Sequence, residues 1–120
     1  MSASAFDQAG YRRGIQLFNE AHFFEAHEAL EDVWRASSGP EKKFLQGLVQ
    51  LAVAFHHHSQ NNLVGARSLL ERATRNLSGY PEEFCGLRLG SLFLALGQWR
   101  VALQEGKQGA LLPRLELTEC

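Results

Sequence analysis

The stretch Lys43-Phe44-Leu45-Gln46-Gly47-Leu48-Val49-Gln50-Leu51-Ala52-Val53-Ala54-Phe55-His56-His57-His58 decides the fold. Residues of a helix advance about 100° each. On that spacing Phe44, Leu45, Leu48, Val49, Leu51, Ala52, Val53 and Phe55 cover well over half the circumference. Only Lys43, Gln46, Gln50 and His57 define a polar side. A helix this apolar belongs at the centre of a bundle.

Chain breakers bound this helix and its neighbours. Ser37-Ser38-Gly39-Pro40 precedes it, with the proline in the first turn where its missing N–H costs nothing. Asn61-Asn62 and Ser78-Gly79-Tyr80-Pro81 are further breaks, and Pro113 closes the last apolar segment. Between them apolar residues recur at helical spacing, and strand-like alternation is absent over any useful length. Five helices are expected, over Phe6–Glu20, Phe23–Ala36, Glu41–His58, Leu63–Leu77 and Leu87–Glu105. The fold class is therefore all-α, a single-domain bundle of about five helices over 1–105, with a polar tail over 106–120 expected to fray from Arg114 onward. A weak internal repeat lays Ala21-His22-Phe23-Phe24-Glu25-Ala26 over Asn61-Asn62-Leu63-Val64-Gly65-Ala66 and Gly97-Gln98-Trp99-Arg100-Val101-Ala102. Its spacing is near the period of about 34 of tetratricopeptide-like repeats. Helical hairpins of that kind are compatible with the pattern, as is a plain bundle.

Composition narrows the function classes. The 120 residues suit one domain, and 45% hydrophobic against 21% charged residues argues against disorder. Twelve basic and 13 acidic side chains leave a net charge of -1, with no electrostatic footprint for nucleic acid or an anionic membrane. Leu48 to Phe55 is far shorter than the ~20 apolar residues of a membrane span. Two cysteines, Cys85 and Cys120, are too few for a secreted disulfide scaffold. The opening Met1-Ser2-Ala3-Ser4-Ala5-Phe6 lacks a basic region followed by an apolar core. These features lead us to expect a cytoplasmic protein. No nucleophile elbow, P-loop, dinucleotide fingerprint or Cys-x-x-Cys occurs.

The densest polar constellation is Glu25-Ala26-His27-Glu28-Ala29-Leu30-Glu31-Asp32-Val33-Trp34-Arg35. His27 and Glu31 are one turn apart at i and i+4, Glu28 and Glu31 are neighbours at i and i+3, and Trp34 stands beside them. His27 lies at the border of the apolar face, where a nearby carboxylate would fix its tautomer. Such a pair can equally serve packing alone. His56 continues the inward stripe of the third helix, whereas His57 joins the polar side. Three consecutive histidines cannot all reach one ion from a regular helix, and their charge near the helix C-terminus is stabilising in itself.

Two stretches carry a resemblance. One runs from Leu17 through Glu25-Ala26-His27-Glu28, Glu31 and Trp34-Arg35; the other is Lys43-Phe44-Leu45-Gln46-Gly47 to Phe55-His56. Together they resemble domain of unknown function family 309, a group of small helical proteins. The resemblance continues to Gly86-Leu87, over about three-quarters of the chain. It implies an all-helical bundle of about five helices and no established reaction. It also implies a set of recurrent polar positions at His27, Glu28, Glu31, Trp34, Gln46 and His56. Only the first histidine of the triple is regular in that pattern, which weakens any role for His57 or His58.

The leading expectation is a binding or interaction module with a polar pocket between the second and third helices, lined by those six residues. The alternative is a metal-dependent hydrolase in which His27, Glu31 and His56 hold a divalent metal and Glu28 is the base. A third reading is a tetratricopeptide-like adaptor. The residues do not decide whether the protein is an enzyme. A protein partner, a small ligand and a homo-oligomer all stay open.

Overall fold

The structure is a computed structural model that describes residues 6–106 and 111–118. Five α-helices follow one another: α1 (Gln8–Asn19), α2 (Phe23–Arg35), α3 (Pro40–Ser59), α4 (Leu63–Leu77) and α5 (Gly90–Gln104). A two-stranded antiparallel hairpin, β1 (Glu83–Phe84) and β2 (Leu87–Arg88), stands between α4 and α5. Helices α1 to α4 are extensively packed with their chain neighbours, and α5 lies against α4. The result is a row of helices 46 Å long and 25 by 23 Å across. Among the described residues no helix is long and apolar enough to cross a membrane.

Local chemistry sets the helix ends. The Asp7 carboxylate accepts from the Gly10 N–H at 3.1 Å, and the Asn62 side-chain oxygen accepts from Gly65 N–H at 3.0 Å, each capping a first turn. Pro40 opens α3 after Gly39 at φ +69°. The two helical hairpins α1–α2 and α3–α4 share one turn. Ala21 and Asn61 take φ of +65° and +62°, and the N–H groups of His22 and Asn62 return to the carbonyls of Leu17 and His57. This six-to-one bond with a left-handed residue ends both helices alike. The expected repeat thus holds in turn geometry for its first two units. Its third unit, Gly97 to Ala102, lies inside α5 and makes no turn.

The core is centred on α3, whose Phe44, Leu45, Leu48, Leu51, Ala52 and Phe55 are buried. Ile15 and Phe18 of α1, Leu30 of α2, Leu70 and Leu77 of α4, and Leu96 and Trp99 of α5 pack into the same core.

Two expectations need correction. The fifth helix begins at Gly90 rather than Leu87, because Leu87 and Arg88 pair with Phe84 and Glu83 around a tight turn at Cys85 (φ +50°) and Gly86 (φ +73°). The segment from Arg114 to Thr118 does not fray; residues 107–110 and 119–120 of the expected tail lie outside the described residues. Leu115 is buried, Asn19 holds its backbone through two hydrogen bonds, and Leu117 bridges to Leu87. The alternation of inward Leu115 and Leu117 with outward Arg114 and Glu116 carries this edge segment.

Candidate functional site

Helices α2 and α3 run side by side, joined by the turn at Ser37 to Gly39. On α2 the residues Phe24, His27, Glu31 and Trp34 fall on one stripe at helical spacing. On α3 Lys42, Gln46, Val49, Val53 and His56 form a second stripe by the same rule. Contacts at both ends show that the stripes adjoin. The Phe24 ring lies 5.4 Å from His56, and Lys42 Nζ lies 4.5 Å from the centre of the Trp34 ring.

The expected residues meet only in part. His27 Nε2 stands 3.5 Å from Glu31 Oε1, the i,i+4 pair anticipated from spacing. Glu31 Oε1 is also 3.5 Å from Arg35, which reaches Asp32 at the same distance. Trp34 is half-buried; its carbonyl accepts from Lys42 Nζ at 3.2 Å and from Ser37 Oγ at 2.8 Å. The Trp34 indole N–H is buried without a hydrogen-bond partner. Gln46 is exposed on the α3 stripe. Glu28 turns elsewhere and lines a groove of ≈ 350 Å³ between α1 and α2, with Asp7, Arg13, Glu25 and Asp32. The six residues therefore do not converge on one pocket: five share a face and Glu28 does not.

The metal-ligand set fares similarly. His27 contacts Glu31, whereas His56 contacts Phe24, whose ring lies 5.8 Å from His27 and 5.4 Å from His56. Among the described residues no group of three or more His, Cys, Asp or Glu is arranged to hold a metal ion. This geometry lends the hydrolase reading no support. His57 Nδ1 sits 3.3 Å from the Asn62 amide, where the pair closes the α3–α4 turn. His58 packs edge-on against Trp99 at 4.9 Å, and its Nε2 is buried without a partner.

Sequence reasoning missed three members of the face. Phe24 is 48% exposed, whereas its neighbour Phe23 is buried. The signal was available, because Phe24 opens the same helical stripe as His27, Glu31 and Trp34. Lys42 and Arg35 were readable only as solvated charges, since a stacking cation has no spacing signature.

Away from this face, burial shapes the chemistry of the α1–hairpin junction. Tyr11 donates to the Cys85 carbonyl at 2.9 Å, and burial drives its phenol far above the ordinary value, with Cys85 adding to the rise and Arg12 opposing it. The Cys85 thiol is pushed up to about 11, first by burial and then by the Glu41 carboxylate. Tyr80 donates to the Pro40 carbonyl at 2.7 Å, and its phenol is raised by burial. A thiol held protonated in this way is a poor nucleophile.

A row of antiparallel helices with an apolar central member defines a small all-α bundle, and similar proteins give it a place. The chain belongs to the family named Domain of unknown function (DUF309), which matches residues 11–69. All six anticipated site residues fall within that match, whereas the hairpin, α5 and the tail follow it. An uncharacterized protein of Aquifex aeolicus (strain VF5) is 32% identical over 91 residues, 69% of this chain and 27% of its own length. The uncharacterized protein YpuF of Bacillus subtilis (strain 168) is 39% identical over 64 residues, 52% of this chain and 37% of its own. The aligned part of this chain thus spans about a quarter to just over a third of these relatives. In a crystal structure, a conserved hypothetical protein from Thermus thermophilus is similar at a TM-score of 0.58 and 32% identity, over 79% of this chain and 88% of that one.

Proposed function

We propose that this domain is a cytoplasmic interaction module whose recognition surface is the α2–α3 face, and that it binds a protein partner there. The observation that carries the reading is Phe24, half-exposed and in ring contact with the imidazoles of both His27 and His56. An aromatic ring in contact with polar groups at the surface has the character of an interface anchor. The far end of the face repeats the arrangement, with Lys42 over Trp34 and the ion pairs of Glu31 and Arg35 between. Such a surface can exchange its water for a partner while its charges stay at the rim. The occurrence of related segments within much longer relatives fits a module joined to other parts.

The test is affinity isolation of the tagged chain from its own host cell, comparing unaltered protein with Phe24→Ser and with Leu94→Ser. Leu94 is exposed on α5, away from the face. Both substitutions should change stability by less than about 1 kcal/mol. A partner that is retained by Leu94→Ser and lost by Phe24→Ser is the expected result. A partner retained equally by both variants, or no stoichiometric partner with any of the three, contradicts the reading.

A further inference from the structure

The end of the chain runs antiparallel to β2. The Arg88 N–H donates to the Glu116 carbonyl at 2.9 Å and the Thr118 N–H donates to the Gly86 carbonyl at 2.7 Å. In that register Leu87 faces Leu117 as a pair whose own N–H and C=O groups point away from each other. The backbone groups of Leu115, two residues earlier, point to the same outer edge as those of Leu117. At Leu115 that edge is filled. The Asn19 side chain donates from Nδ2 to the Leu115 carbonyl at 2.9 Å and accepts from its N–H at 2.8 Å. An amide therefore already pairs with this edge by two reciprocal bonds, the way a residue of an adjoining antiparallel strand would.

At Leu117 the same edge is open. Its N–H and C=O have no partner among the described residues. They border a cleft of ≈ 820 Å³ between α1 and the tail, with Ile15 and Leu117 giving it an apolar component. Arg12, Arg88 and Arg114 line this cleft, and none of the three makes an ion pair among the described residues. Glu20 and Glu116 line it too, and Glu20 accepts a hydrogen bond from Gln16, so positive charge exceeds negative by one. An unpaired strand edge is a template for another extended chain, and guanidinium groups match carboxylates in shape as well as charge.

We propose that this cleft takes an extended acidic peptide segment. It adds as a strand to the open edge at Leu117, with its carboxylates on Arg12, Arg88 and Arg114. Two main-chain bonds to Leu117 set the register of the added segment, and its alternate side chains facing the arginines supply selectivity. A free small anion could satisfy the arginines but would leave the Leu117 groups unpaired. The site is separate from the α2–α3 face and does not depend on it.

The probe is a fluorescein-labelled heptapeptide of alternating Glu and Val, titrated into the full chain at low ionic strength and followed by anisotropy. Saturable binding is expected, lost when alternate peptide amides are N-methylated on the edge-facing side. Arg12→Ala and Arg114→Ala should each weaken binding about fivefold. The Leu117 amide should exchange its hydrogen about tenfold more slowly in the complex. Equal binding of the N-methylated peptide would show attraction by charge alone and overturn the proposal, as would a failure to saturate. Full displacement by citrate with no protection at Leu117 would mark a small-anion site and overturn it equally. The comparison of peptides uses the unaltered protein, so a poorly folded variant does not blur the result.

Discussion

The His27–Glu31 contact spans 3.5 Å on one turn of α2, and both side chains keep about a quarter to a third of their exposure. Pairs of this kind contribute only tenths of a kcal/mol. Its position was legible from the i,i+4 spacing, but its meaning lies in the face it belongs to rather than in stability. Titratable groups at the α1–hairpin junction behave differently. Cys85 is raised from 9.0 to about 11 and Tyr11 is raised from 10.0, so the folded chain holds both protons where the unfolded chain releases them. Below pH 9 both states are protonated and the groups add no pH dependence. Stability should fall from about pH 9 as the unfolded thiol ionises, and more steeply above about pH 10 as the phenol of Tyr11 joins it. The Tyr11 slope should approach about 1.4 kcal/mol per pH unit, whereas solvent screening leaves the half-exposed thiol a smaller one. Urea unfolding from pH 8 to 11 measures this. Tyr11→Phe should flatten the curve above pH 10; an unchanged slope would remove Tyr11 from the account.

Between elements, close approach is set by two glycines. A β-carbon at Gly47 of α3 would meet Leu77 of α4 at 2.8 Å, and one at Gly14 of α1 would meet Leu30 of α2 at 2.6 Å. Helix propensity favours alanine over glycine by about 1 kcal/mol, but overpacking of a filled core costs about 1–3 kcal/mol. Gly47→Ala should therefore destabilise the protein. Gly97 of α5 has nothing within 4 Å of that position, so Gly97→Ala should stabilise by about 0.5–1 kcal/mol. Paired denaturation midpoints test the contrast, and like signs would contradict the packing. The three central helices were legible because their apolar stripes are long and bounded by Gly-Pro, Asn-Asn and Ser-Gly turns. The hairpin was not, because strands of two residues are too short to show a period of two, and its turn places Cys85 at a positive φ that side-chain-bearing residues rarely adopt. The third repeat unit misled for a related reason: Gly97 reads as a turn residue, yet it sits within a helix whose apolar residues face both inward and outward.

At the scale of the whole molecule, the row of helices is closed at one side by the end of the chain. Leu115 is 1% exposed, its backbone held by Asn19. Leu115→Ala should cost about 2–4 kcal/mol in chemical denaturation, whereas a loose tail would leave the midpoint unchanged. Composition alone suggested a polar, frayed end there, because only Leu115 and Leu117 alternate inward and the contact partner is 96 residues distant in sequence. The same distinction between local and long-range information holds for the candidate face. Helical spacing brought His27, Glu31 and Trp34 together, and the adjacency of α2 and α3 added Gln46 and His56. Phe24 lies on the same stripe of α2, and Lys42 joins the face through its contact with Trp34 across the two helices. Glu28 departs because the 100° step turns it toward α1.

The face itself is tested most directly by site-specific photo-crosslinking in the host cell. The reactive residue is placed in turn at Phe24, at Gln46, and at Arg67 and Arg72, which are exposed on α4. One discrete crosslinked protein, a second copy of this chain included, is expected from positions 24 and 46, with none from 67 or 72. Crosslinks from 67 and 72 alone, or equal yields from all four positions, would contradict this expectation.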